Sequence, residues 1–136
     1  MCLIVTEKSR SANEDIIAYK VLEFSRGILH TPFKYMPIEF NVTYTDKKSE
    51  TWDDLYLYSG VYHLFSSIED AKLFKAHAEE TYVNKNNLSI FIIVKAIIPK
   101  GTKYYVGKCK LGWKFDDIFQ HESYGTKSVI YKEIDA

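Results

Sequence analysis

Residues 88–107 run LSIFIIVKAIIPKGTKYYVG and read as a buried β-strand, a Pro-Lys-Gly turn and a second, aromatic strand. Within 88–98 both alternating faces are largely apolar, Leu88, Ile90, Ile92, Val94, Ala96 and Ile98 against Phe91, Ile93 and Ile97. A strand carries that pattern when it is covered on both sides, so this one is expected at the centre of a sheet. Pro99 has no N–H to give a ladder and ends it. Gly101 supplies the backbone freedom of the turn before Lys103-Tyr104-Tyr105-Val106 resumes the β pattern.

Working outward, residues 16–24, IIAYKVLEF, form a strand that follows the turn-like Ser11-Ala12-Asn13-Glu14-Asp15. Its face of Ile16, Ala18, Leu22 and Phe24 also carries Lys20, either snorkelling over apolar surface or aimed into a site. Residues 26–54 read as irregular with short strands near 35–44, a place for a binding loop, and residues 55–65 as two short strands hinged at Ser59-Gly60. A helix is expected over about 67–83. Ser66 with Glu69, or Ser67 with Asp70, has capping-box spacing, and Ile68, Ala71, Phe74, Ala78 and Tyr82 make an apolar stripe. A helical turn at 116–120 and a last strand over 127–134 complete the pattern. Strands, a helix, then strands make an α+β fold of mostly antiparallel or mixed twisted sheet with long loops, not a doubly wound parallel one.

The 136 residues suit a single domain, 1–136, and the aromatic content of 15%, with Tyr 11 and Phe 8, favours β structure over disorder. Eighteen basic side chains balance eighteen acidic ones, which argues against broad nucleic-acid binding and favours some self-association. Only Cys2 and Cys109 are present, too few for a disulfide scaffold, and no apolar run approaches the ~20 residues of a membrane helix. A soluble, cytoplasmic protein without a membrane anchor is expected. Cys2 reads as a small residue opening a strand, or, were Met1 removed, as an N-terminal nucleophile. His30, His63, His77 and His121 lack metal-ligand spacing, and neither common phosphate-loop motif occurs, so no metal is expected.

Tyr19-Lys20, then Phe65-Ser66-Ser67, a helix, and the strand ending Ile97-Ile98-Pro99-Lys100-Gly101 together resemble the ADP-ribosyltransferase-like fold over residues 16–134. Its members carry Tyr-Arg on an early strand and a Ser-Thr-Ser segment before a helix. The resemblance implies that Lys20 contacts the phosphates of NAD or a related nucleotide, that Ser66 and Ser67 shape the nicotinamide pocket, and that a glutamate before the last strand stabilises the sugar cation. Lys20, Ser66 and Tyr105 would then line one cleft, with Tyr19 and Ser67 beside them. Two departures stand out. Lysine replaces arginine and lacks its planar fork, and Thr126-Lys127-Ser128, directly before the last strand, holds no carboxylate. Gln120-His121-Glu122 has the Gln-x-Glu pattern but stands several residues too early, so Glu122 would need a loop rearrangement to reach the site. The serines equally suit a helix cap.

Met1-Cys2-Leu3, Tyr19-Lys20-Val21-Leu22, Gly60 with Phe65-Ser66-Ser67-Ile68-Glu69-Asp70-Ala71, and residues 94–105 also resemble a family of small proteins from tailed phages and gut bacteria. That likeness implies a mobile-element origin and brings no activity. The expected function is a non-catalytic binder of a nucleotide-derived or other small anionic ligand. The alternatives are an active NAD-dependent ADP-ribosyltransferase using Glu122, and a phage-derived module that engages a host protein.

Overall fold

β-Branched and aromatic residues dominate the strands, and every strand pairing among the described residues is antiparallel. The computed structural model describes residues 2–5, 8–32, 36–46, 52–53, 56–57, 61–82, 89–110, 119 and 121–134. In chain order these form β1 (Cys2–Val5), β2 (Arg10–Ser11), β3 (Ile16–Ser25), β4 (Ile28–His30), β5 (Thr43–Thr45), β6 (Trp52–Asp53), β7 (Tyr56–Leu57), β8 (Tyr62–Phe65), α1 (Ile68–Tyr82), β9 (Ile90–Ile98), β10 (Lys103–Lys110), β11 (Ser123–Thr126) and β12 (Ser128–Lys132). The expected α+β class holds: one domain of antiparallel sheet with one helix among the described residues. The hinge at 59–60 and the helical turn at 116–118 and 120 lie outside those residues, as does Tyr35; near it, His30 and Pro37 form an isolated bridge.

The strand order β5-β12-β9-β3-β8-β11-β10-β1-β7-β6 divides into two half-sheets. β3 and β9 pair along their whole lengths, from Ile16↔Ile98 to Phe24↔Ile90. β3 and β8 meet at a single pair, Tyr19↔Phe65. The expected central strand is therefore confirmed as β9, between β3 and β12. The strand expected over 127–134 is found as β12, and a further strand, β11, precedes it across Lys127 in a stretch expected to be loop. β11 pairs with β8 and β10 in one half-sheet, and β12 pairs with β9 and β5 in the other. The Pro99–Thr102 turn, closed by Thr102 N–H to Pro99 O at 3.1 Å, likewise carries the chain from β9 in one half to β10 in the other.

Both halves supply one apolar cluster, Ala18, Leu22, Val94, Ala96, Ile98, Val129 and Tyr131 from the first and Leu64, Tyr104 and Val106 from the second. The opposite face of β3 and β9 gives Val21 and Phe91 to a second cluster with Phe65, Cys109 and the α1 stripe of Ala71, Phe74 and Ala78. Leu3, Val5, Val61 and Tyr105 form a third. Phe24, expected on the apolar face of β3, is exposed at the strand's far end. No helix is long and apolar enough to cross a membrane among the described residues.

Candidate functional site

The residues singled out from the sequence fall on, or next to the ends of, four consecutive strands, β3, β8, β11 and β10. Tyr19 pairs with Phe65, and Phe65 with Ser123, so one row crosses the joint between the half-sheets. Beyond that row β3 and β8 part, and β3 next pairs, from Glu23, with β4. Lys20 sits in the interval. It belongs to the face of Ala18 and Leu22 and is half-buried, and its ammonium donates to the His63 carbonyl of β8 at 2.9 Å. Tyr19, one residue earlier, turns to the helix side and packs on the second cluster.

Ser66 and Ser67 take separate partners. Ser67 Oγ accepts from Asp70 N–H at 3.2 Å, which is the cap expected from their spacing and satisfies an otherwise orphan helical donor. Asp70 is fully buried, and its carboxylate accepts from His121 N–H at 3.0 Å. Ser66 donates through both its backbone N–H and its hydroxyl to the Glu122 carbonyl. The helix start is thereby laced to the chain entering β11.

Glu122 immediately precedes β11, a strand in a stretch the sequence pattern reads as loop. It still stands ahead of the last strand, β12, with β11 between them, and it is its backbone carbonyl that meets Ser66. Its side chain is exposed. Tyr105 does not join this group. It is buried in the third cluster on the face of β10 shared with Gly125, under the Lys103 ammonium at 5.6 Å. Lys20, Ser66 and Tyr105 thus do not line one cleft: Lys20 faces the core between the half-sheets, and Tyr105 faces the other way.

A second polar group was not anticipated. Across the β3–β4 hairpin, Ser25 Oγ lies 2.7 Å from His30 Nε2, and His30 Nδ1 lies 2.9 Å from the Thr31 carbonyl oxygen. The hairpin is legible in Ser-Arg-Gly-Ile, a two-residue turn in which Arg26 and Gly27 adopt φ of 52° and 78°. Reading it as such would have set residue 30 diagonal to residue 25. Among the described residues no group of three or more His, Cys, Asp or Glu side chains gathers as a metal site.

No family model matches the chain, and no curated protein or solved structure is significantly similar to it.

Proposed function

We propose that the chain binds a small anionic, nucleotide-derived ligand along the β3–β8–β11 face, without turning it over. The observation that carries this reading is the Lys20 ammonium, half-buried where β3 and β8 part, with Ser66 one step to the other side of the Tyr19–Phe65–Ser123 row. An ammonium held on a wall of apolar strands presents charge and N–H donors together, which suits a phosphate or carboxylate. Tyr19 and Ser67 support the site from the helix side, since Ser67 fixes the first turn of α1. The ADP-ribosyltransferase-like resemblance supports the same placement, because its basic, serine-rich and glutamate-bearing segments would correspond to β3, β8 and β11, adjacent here and in that order.

That adjacency also favours a second reading, NAD cleavage with Glu122 beside the developing sugar cation, since Glu122 opens β11 next to Ser66. Calorimetry with ADP-ribose and with NAD, alongside nicotinamide release, separates the two. Binding that Lys20→Ala weakens by roughly 10- to 100-fold, with no release, is the expected result, a charge-assisted contact being worth about 1.5–3 kcal/mol. Release abolished by Glu122→Gln would establish the transferase instead. If neither ligand binds, the reading fails and a host-protein interaction module takes its place.

A further inference from the structure

We propose that Ser25 and His30 form a nucleophile and general-base pair that transfers the acyl group of a small carboxylic ester to water. Three features converge at the β3–β4 hairpin. First, the Thr31 carbonyl can only accept, so His30 Nδ1 carries its proton toward it, and the neutral ring's Nε2 is left as the acceptor for the Ser25 hydroxyl at 2.7 Å. Nucleophile, base and an orienting acceptor behind the base are thus arranged in series, the relation that makes a serine reactive. Second, His30 is 5% exposed, so its ring is held by packing, while Ser25 is half-buried and within reach of a ligand.

Third, the turn after the serine departs from ordinary turn chemistry. A two-residue hairpin turn with both φ values positive favours Asn, Asp or Gly at its first position, and here Arg26 occupies it at φ 52°. A left-handed arginine is a strained backbone position, and such strain clusters at functional sites. Ser25 pairs with Ile28, so the amides of Arg26 and Gly27 stand outside the hairpin ladder, directly after the nucleophile. They are donors for the oxyanion of a tetrahedral intermediate. By strand alternation Ser25 lies on the face of β3 opposite Lys20 and five residues along, so this site is separate from the anion site above.

The chemistry balances with water as co-reactant. Ser25 Oγ bonds to the ester carbonyl carbon while its proton passes to His30 Nε2. The carbon–oxygen bond to the alcohol then breaks, and that alcohol leaves with the proton from Nε2. Water attacks the resulting acyl-serine, giving its proton to Nε2, and the carboxylic acid departs as Ser25 recovers its hydrogen.

A fluorophosphonate probe applied to the full chain, followed by peptide mass spectrometry, is expected to place the adduct on Ser25. Ser25→Ala should abolish it, and His30→Gln should slow labelling by roughly 10²- to 10⁴-fold, the contribution of a positioned general base. Because His30 is buried, circular dichroism must show that His30→Gln is folded. If it is not, p-nitrophenyl acetate hydrolysis by the wild-type chain against the Ser25→Ala variant decides alone, with a faster wild type expected. Absence of a Ser25 adduct, a folded His30→Gln labelled at the wild-type rate, or equal ester hydrolysis by wild type and Ser25→Ala would each reduce the Ser25–His30 bond to a hairpin staple and overturn the proposal.

Discussion

Tyr131 is fully buried in the main cluster, and among the described residues its hydroxyl has no hydrogen-bond partner. Its ring lies 6.1 Å from that of Tyr44. Burial, and then the neighbouring Tyr62 and Tyr44, push its ionisation far above the ordinary tyrosine value of 10.0. An unsatisfied buried hydroxyl costs about 1–3 kcal/mol, so Tyr131→Phe is expected to raise the unfolding free energy within that range in urea titrations. The pH dependence has a definite sign. Above pH 10 the unfolded tyrosine loses its proton while the folded one keeps it, so the unfolded state binds fewer protons and stability falls as pH rises. Tyr131→Phe should flatten that alkaline decline, and an unchanged slope would assign it to other groups. Neither the orphan hydroxyl nor the Ser25–His30 contact was legible from composition or spacing, because each depends on a tertiary or cross-hairpin approach. Lys20, by contrast, was visible as a cation on an apolar strand face.

Among the elements, β3, α1 and β9 were the most legible, since each carries a sustained period and clear punctuation. The helix starts one residue later than expected, at Ile68, and its expected end at residue 83 lies outside the described residues. Ser67→Ala removes the acceptor for Asp70 N–H and should cost ~0.5–2 kcal/mol in thermal or urea unfolding. If it also lowers ADP-ribose affinity at equal folded fraction, Ser67 acts in the ligand site as well as in the cap. β11 escaped the sequence reading because Ser123-Tyr124-Gly125-Thr126 is short and carries no apolar alternation, and nothing in the pattern reports that the chain changes sheets at Lys127. Gly107 marks a different constraint. A Cβ there would strike the Ile4 carbonyl of β1, so Gly107→Ala must push the two strands apart. The expected loss is roughly 1–3 kcal/mol, with increased hydrogen exchange along β1 as the local signature. Unaltered β1 protection would show that the strand shifts without opening.

For the molecule as a whole, fold class and the central position of β9 followed from the sequence, whereas the division into half-sheets did not. The division arises from where strands stop pairing, and it places Lys20, Ser66 and Glu122 near one joint while sending Tyr105 to another face. The β3–β9 ladder has a further consequence, in the time domain. Each residue of β3 from Ile16 to Phe24 finds its β9 partner 66 to 82 residues later in the chain, from Phe24↔Ile90 to Ile16↔Ile98. At synthesis rates of ~5–20 residues per second, β3 waits roughly 3–16 s on the ribosome for the strand that completes it. Until then one edge of an apolar strand stands open, and only the short β4 hairpin and later β8 occupy parts of the other. Folding is therefore gated by the arrival of β9, and for those seconds the nascent chain offers a strand edge to any other chain nearby.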